Sequence, residues 1–487
     1  MLDRSRESQE GSDTGQTSGH ATRIPTPAAG GRLARSLTLG AMSLGFGVVQ
    51  LDVTIVNTAL NSIGGSVGGG VQGLQWIVSA YTIAFAALIL TAGALGDRVG
   101  AKRCFMLGFA LFTAASLACA LAPGTAVLIA ARTVQGAAAA LLVPNSLALL
   151  NHAYRDEKER GRAVGIWAAG ASLALTAGPL AGGGLIALAG WRSIFLVNLP
   201  IGLAGLWLTW RYATETSRTA KRELDVVGQV SAAGALACLA GALIEGGTFG
   251  WTNLWVLAGF GAFVLLSLLF VLQERRSQQP MLPLGLFQHR TFTVAALVGL
   301  LANAAFYGLI FVLSLYFQKQ NGLSALATGL AFLPMLGAVL PMNLLAARLA
   351  ERFGAPAIVA AGAAIAAAAC AGLIGIERGT SYWALCAQLV AMGAGLGLMV
   401  PPLTSMLLGS VDKARSGIAA GVLNSTRQTG SVLGVALFGS FIGNNSSFIP
   451  GAHAALLVSV GLLASAAALA YARTGKTVEG TLPLRLH

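Results

Sequence analysis

Composition places this sequence in a membrane. Of its 487 residues, 55% are hydrophobic and only 10% are charged, whereas about a quarter of the residues in a soluble domain are charged. A water-soluble core of this size has no room for so many apolar side chains, so lipid must surround much of the chain. This excludes an ordinary soluble enzyme, and the net charge of +13 needs another explanation than nucleic-acid binding.

The first 36 residues are polar and rich in Gly, Ser, Thr and Arg, which predicts a disordered cytoplasmic tail without a cleavable signal peptide. Apolar segments long enough to cross a bilayer follow, since a spanning helix needs about 20 apolar residues. We number them span 1 to span 14, at 37–60, 73–95, 103–122, 125–150, 162–189, 193–212, 225–245, 254–273, 291–317, 327–347, 355–376, 381–409, 416–443 and 451–472. The fold class is therefore all-α, a polytopic membrane protein with 14 transmembrane helices.

Basic residues alternate with these spans. With the N-terminus inside, 26 of the 31 Lys and Arg residues fall in inner loops and tails, three fall in outer loops and two in spans. Cytoplasmic loops are the basic ones in membrane proteins, so this bias predicts a multi-pass protein of the cell (inner) membrane with both termini in the cytoplasm. The +13 charge then follows from topology and from anionic lipid.

The sequence also repeats itself. Residues 93–100 (GALGDRVG) match 347–354 (ARLAERFG), and the Val-Pro pair at 143–144 recurs at 400–401. Three glycines of span 5 match three glycines of span 13 at an offset of 256 residues, namely 161, 165 and 178 with 417, 421 and 434. Repeated halves facing a central site are the architecture of secondary transporters.

The repeat divides the chain into segments. We expect an N-terminal six-helix half at 37–212, two extra linker helices within 213–275, a C-terminal six-helix half at 276–472 and a cytoplasmic tail at 473–487. The scattered cysteines and histidines show no metal-ligand spacing, so no metal or other cofactor is expected. The T-G-K-T at 474–477 lacks the preceding glycine of a phosphate-binding loop, which excludes a nucleotide-driven pump.

Four motifs carry a family resemblance: LDVTIVNTAL at 51–60, GALGDRVGAKR at 93–103, RTVQG at 132–136, and GPLAGG at 178–183 followed by WRSIFLVNLPIG at 191–202. Together they resemble the major facilitator superfamily, specifically its fourteen-helix drug:proton antiporter family. Two positions depart from the family pattern, since Asn61 stands for its usual Pro and Ala174 for its usual Gly. No role is assigned to either.

The resemblance implies a function. It implies a secondary active exporter that works by alternating access, exchanges small molecules for protons and is not an enzyme. Its partners would be a small-molecule substrate, protons and the lipid bilayer, with neither nucleic acid nor nucleotide. A lipophilic or cationic drug or antibiotic fits one buried carboxylate, for which cation and proton can compete. Proton-coupled uptake of a nutrient or metabolite and a non-transporting membrane sensor are the alternatives.

Asp52 is the only acidic residue deep inside a span. Burial disfavours its charged form, so we expect it to take up protons. At about 1.5 Å per residue, Asp52 and Arg132 lie at similar depths, and the family fold brings spans 1 and 4 together. The two residues are therefore predicted to form the proton-coupling pair; a fixed ion pair without a transport role is the alternative.

One face of span 1 is polar. Gln50, Thr54 and Asn57 follow helical spacing, and Asp52 points nearly the opposite way. The stripe is predicted to line the substrate cavity, with packing against a neighbouring helix as the alternative. Arg427 could contact substrate, tune protonation or hold a carbonyl group. The remaining cavity candidates, each of which could instead be packed or lipid-facing, are Tyr81, Phe85, Gln135, Asn145, Trp167, Asn303, Tyr307, Asn424 and Gln428.

The resemblance assigns two further motifs. The loop after span 2 and its repeat counterpart would form a conformational latch, made of Gly93, Asp97, Arg98, Gly100, Lys102, Arg103, Glu351 and Arg352. The glycine-proline run of span 5 is the helix-packing motif of antiporters, made of Gly178, Pro179, Gly182 and Gly183. A plain basic loop and ordinary helix packing are the respective alternatives.

Overall fold

Fourteen long helices make up the part of the chain that the structure describes, which is residues 29–154, 156–217, 225–277, 280–412, 416–443 and 448–472 of this computed structural model. In chain order α1 to α14 are Ala29–Val67, Gly70–Val99, Ala101–Leu121, Thr125–Ala153, Glu157–Ala189, Ser193–Tyr212, Val226–Phe249, Leu254–Arg276, Arg290–Leu315, Ala325–Phe353, Ala355–Gly372, Tyr382–Gly409, Ser416–Phe441 and Phe448–Tyr471. The all-α fold class with 14 helices is confirmed.

Thirteen of these helices are long and apolar enough to cross a membrane. The remaining one, α13, has the length but carries a polar run at 424–429. At the other end of the chain, α1 begins at Ala29, inside the segment expected to be a tail. Residues 1–28 and the predicted tail at 473–487 lie outside the described residues.

The helices form two groups with the same packing. In the N-terminal half, α1 packs on α5 and α6, α4 packs on α2 and α3, and α3 also packs on α6. The C-terminal half repeats each contact eight helices later, with α9 on α13 and α14, α12 on α10 and α11, and α11 on α14. The halves meet through α5 against α10 and α2 against α13.

The repeated loop has the same backbone in both halves. Gly100 and Gly354 end α2 and α10 with φ of +113° and +86°, a region that favours glycine because other residues meet steric strain there. These glycines occupy the last positions of the two matching segments, 93–100 and 347–354. The sequence repeat therefore corresponds to a repeated turn.

The two ends of the bundle differ. We call the end at which the odd-numbered helices begin the basic end and the other the opposite end. At the opposite end the halves are in close contact: Gln75 donates to the carbonyl of Ala436 at 2.8 Å, and a Cβ on Gly183 would lie 2.6 Å from the Cα of Leu326. Ser314 of α9 also donates to the Asn57 carbonyl. The substrate-sized opening is therefore at the basic end.

The two linker helices lie to one side. α7 packs on α2, α13 and α8. Its Gln229 donates to the Ala87 carbonyl at 2.9 Å, and its Glu245 accepts from Gln72 at 2.5 Å and from Trp76 at 3.2 Å. α8 touches little besides α7 and exposes most of its apolar side chains, as expected of a helix facing lipid.

Candidate functional site

The deepest charges of the N-terminal half form an ion pair. Arg132 of α4 donates to a carboxylate oxygen of Asp52 on α1. Both residues are buried, with 1% and 0% of their surface exposed. The pair was predicted because the two residues lie at similar depths in their spans, and the structure brings them together.

Neutral polar side chains surround the ion pair and supply its remaining hydrogen bonds. Gln135, one turn after Arg132, donates to Asp52 Oδ1 at 2.9 Å and to Ser116 at 2.9 Å, and it accepts from Arg132 at 2.7 Å. Asn198 lies 3.4 Å from the same Asp52 oxygen. Burying two charges costs free energy unless further hydrogen bonds satisfy them, and these side chains supply those bonds.

Aromatic rings enclose the guanidinium. The Tyr81 ring centre lies 4.3 Å from Arg132 Cζ and the Phe195 centre lies 5.9 Å away, within the range of cation–π attraction. Arg132 Nε donates to the Ile77 carbonyl at 3.3 Å. Tyr81 and Gln135, two of the cavity candidates, are thus parts of the ion-pair site, and Tyr81 also lines a small space between the two halves.

A cavity of about 330 Å³ opens at the basic end between the halves. Two candidates on the N-terminal half line it: Asn145, and Trp167, whose Nε1 donates to Ser146 at 3.1 Å while its ring stacks on Phe46 at 4.3 Å. Asn424 lines it from α13, and Asp97 lies at its mouth. A few polar groups on an apolar wall are typical of a small-molecule site.

A second, much smaller space lies deeper. Asn57 and Tyr307 line it from the two halves, together with Ser431 and the buried ion-pair residue Arg132. Phe85, by contrast, is packed in the core of the N-terminal half with 2% of its surface exposed. Asn57 and Tyr307 are therefore placed between the halves, and Phe85 is placed inside one of them.

The polar stripe of α1 divides in the structure. Thr54 donates to the Leu175 carbonyl of α5 at 3.1 Å, so it packs against a neighbouring helix, the alternative interpretation of the stripe. Gln50 is half-buried, and Asn57 faces the C-terminal half as described above. Helical spacing identifies a shared face, but that face is wide enough to meet two different neighbours.

Arg427 has no counter-ion among the described residues. It is half-buried in α13 and lines a narrow space of about 10 Å³ with Asn303, Thr404 and Leu423. Its guanidinium donates no hydrogen bond within the described chain. The neighbouring Gln428 has a buried side-chain oxygen without a donor.

The basic loop after α2 is anchored to the segment that follows α6. Lys102 Nζ donates to the Ala213 carbonyl at 2.7 Å, and its backbone N–H donates to Glu215 at 2.9 Å. Arg103 lies 4.0 Å from the same carboxylate. Glu215 sits at the start of α3, where a negative charge meets the positive end of the helix dipole; sequence reasoning missed it, because its partners lie more than a hundred residues away.

The other latch candidates occupy the basic end. Arg98 is exposed there, and Gly93 lines the cavity. Glu351 and Arg352 are exposed at the end of α10, where Arg352 lies 5.2 Å from the Phe353 ring centre. The loops of the two halves thus occupy matching positions on one end of the bundle.

The glycines of α5 permit close contact on two sides. Gly178 and Gly182 face Thr54 and Thr58 of α1, while Gly183 faces the start of α10. The carbonyl of Pro179 lies against Gly329 of α10. Small residues let helices approach closely in membranes, and here they bring α5 against both its own half and the other half.

Known proteins share this arrangement. A family model described as Major Facilitator Superfamily matches residues 42–435 and 295–481. This chain belongs to that superfamily. The methylenomycin A resistance protein of Streptomyces coelicolor is 38% identical over 445 residues, 91% of this chain and 93% of the relative.

Other relatives are also resistance proteins. The multidrug resistance protein Stp of Mycobacterium tuberculosis is 38% identical over 406 residues, 83% of this chain and 75% of the relative. The tetracenomycin C resistance and export protein of Streptomyces glaucescens is 31% identical over 415 residues, 85% and 77% of the two chains. The resemblance to drug-efflux members is confirmed, and the chain is a membrane transporter rather than an enzyme.

A solved structure agrees in fold. The crystal structure of the human organic anion transporter MFSD10 superposes with a TM-score of 0.64 at 18% identity, covering 90% of this chain and 99% of the other. At that identity the likeness concerns the fold alone.

Proposed function

We propose that this protein exports small molecules from the cytoplasm by alternating access, in exchange for protons. The observation that carries the proposal is the Asp52–Arg132 pair, a titratable carboxylate buried at the same level as the space between the halves. Relatives named for antibiotic resistance and export support the direction of transport. Nucleic acid and nucleotide have no place in this mechanism.

The proton step uses the pair itself. In this conformation the Asp52 carboxylate accepts hydrogen bonds from Arg132, Gln135 and Asn198. The proton would bind Asp52 when the halves rearrange and Arg132 moves away. An inner-negative potential drives that proton inward by about 2.3 kcal/mol per 100 mV.

Substrate would enter at the basic end, which we assign to the cytoplasm. The close contacts at the opposite end then make this an inward-facing state. Reporter fusions after Arg103 and Arg276 should report the cytoplasm, and fusions at Gly69 and Asn253 the outside. A basic-loop fusion that reports the outside would contradict the orientation.

Two six-helix units move against each other in this proposal, 37–212 and 276–472. The linker pair within 213–275 contacts both units, since α7 is hydrogen-bonded to α2 and packs against α13. Asp97 and its repeat counterpart Glu351 would act as the latch on the cytoplasmic face, holding the alternative, outward-facing state.

Vesicles test the function directly. Everted membrane vesicles carrying the protein present the cytoplasmic face to the medium, and acidifying their lumen supplies the gradient. We expect them to accumulate methylenomycin A or tetracenomycin C, the antibiotics for which two relatives are named. Gradient-driven loss from the lumen would indicate proton-coupled uptake, and no gradient-dependent flux of any drug would favour a sensor. Vesicles from cells lacking the protein are the control.

A further inference from the structure

The charged residues near the transport path have different surroundings. The carboxylate of Asp52 is fully buried and accepts from three side chains. A cationic substrate that enters from the basic end would have to displace Arg132 and Gln135, which are hydrogen-bonded to the Asp52 carboxylate. The reason for expecting a lipophilic cation, competition with the proton for one carboxylate, is therefore weakened by the geometry.

Arg427 is in the opposite situation. Within the described chain it has neither an ion pair nor a hydrogen bond from its guanidinium. Its alkyl stem packs near Gly299, where a Cβ would lie 3.5 Å from Arg427 Cγ. The head group shares its narrow space with the amide of Asn303 and the hydroxyl of Thr404.

Arg427 lies outside the lining of the large cavity but on the same helix as one of its residues. Asn424 lines the cavity of about 330 Å³, Arg427 lies one helical turn deeper, and Ser431 lies one turn deeper again, beside Tyr307. Residues spaced in this way share one face of a helix. α13 thus presents a line of polar groups with one positive charge at its centre, leading inward from the open end.

A half-buried guanidinium without a counter-ion among the described residues favours an anion. Its field is strong where water is scarce, and its planar fork of N–H donors matches a carboxylate with two parallel hydrogen bonds. An ammonium group is repelled from the same place. Nearby, Asn303 donates one amide N–H to the Gly299 carbonyl at 2.8 Å and keeps a second. That N–H and the Tyr307 hydroxyl can donate to the oxygens of a polar substrate.

We propose that Arg427 is a substrate-binding residue and that the transported compounds carry a carboxylate or a similar acidic group. This inference rests on the proposed export function, since it names the class of substrate that would move inward along α13 from the cavity. An anion leaving an inner-negative cell moves down the electrical gradient, so the potential assists its export together with the inward proton.

Binding measured without a gradient tests the inference. Equilibrium dialysis of the purified full-length protein in detergent would use three compounds with one ring system: 2-naphthoate, 2-naphthamide and 2-naphthylmethylammonium. We expect the carboxylate to bind about tenfold more tightly than the amide, the gain for a charged hydrogen-bonded pair, and the ammonium to bind most weakly. No binding of the carboxylate, or tighter binding of the ammonium, would overturn the proposal.

Variants locate the effect. Arg427→Gln should lower carboxylate affinity about tenfold and leave amide affinity within about twofold, and Arg427→Lys should restore part of the loss because it keeps the charge. Arg290→Gln removes an exposed charge from the same half and should change nothing. An unchanged carboxylate preference in Arg427→Gln would contradict the assignment. Because dialysis needs no pH gradient, failure of proton coupling in vesicles would leave this result intact.

Discussion

The two halves share a fold but not their charges. The counterpart of α1, α9, contains no acidic residue, and the counterpart of α4, α12, contains no Lys or Arg. Conversely, the offset of 256 residues that relates Gly178 to Gly434 places Ala171 of α5 at the position of Arg427. We infer that the repeat has specialised, with the proton in one half and the substrate's charge in the other.

The largest expected effect concerns the two arginines. Arg132→Ala leaves the Asp52 carboxylate buried without its counter-ion, which should lower the free energy of unfolding by about 3–5 kcal/mol. Arg427→Ala removes a side chain that has no ion pair among the described residues, so the change should stay within about 1 kcal/mol. Denaturant unfolding of the two purified variants in the same detergent measures both. Equal losses would mean that the halves do not differ as described.

The contact at the opposite end provides the next prediction. Gly183→Leu places a side chain against the backbone of α10, so the halves can no longer close there, and transport should fall at least about tenfold through the loss of the inward-facing state. Gly184→Leu is the matched control, because a Cβ there meets nothing within 4 Å. Vesicle flux at equal protein amounts measures both. Similar activity of the two variants would show that this contact does not limit the cycle.

A smaller effect is expected at the basic end. Asp97→Asn should reduce transport several-fold, because a latch of about 1 kcal/mol shifts a two-state equilibrium about fivefold, while membrane insertion stays unchanged. Arg352→Ala should have a milder effect, since its copy of the motif lacks the trailing basic pair present at Lys102 and Arg103. Initial transport rates and immunoblots of the membrane fraction measure the two quantities. Normal transport rates for Asp97→Asn would mean that this loop only sets the orientation of the protein in the membrane.

Much of the fold could be predicted from the sequence because lipid imposes simple rules. A spanning helix must satisfy its own backbone and cover the hydrocarbon thickness, so apolar runs locate the helices. The two copies of the Gly-containing loop indicated the repeat, and both end in glycines with positive φ. The helix boundaries were less predictable. α1 extends back to Ala29, and the basic residues there lower the local hydropathy, so this part of the helix is not recognised as apolar.

The site was predictable only in part. Asp52 and Arg132 stood out because charges are rare at mid-span, and depth counting paired them. Ser116 and Asn198 were missed, since a single neutral polar residue in an apolar span carries no signal of its own. Asn198 does lie within the 191–202 motif, and this was the only feature of the sequence that could have identified it as a site residue. Thr54 was assigned to the cavity because spacing defines a helix face without defining which neighbour that face meets.

The central claim is that Asp52 carries the proton. Proteoliposomes containing the wild-type or the Asp52→Asn protein, with an imposed pH difference and a radiolabelled substrate, test it most directly. The wild type should accumulate substrate against its gradient. Asp52→Asn should accumulate none yet still catalyse downhill exchange, because the cavity between the halves is unchanged. If Asp52→Asn proteoliposomes still accumulate substrate uphill when the pH difference is applied, another group carries the proton and the account is wrong.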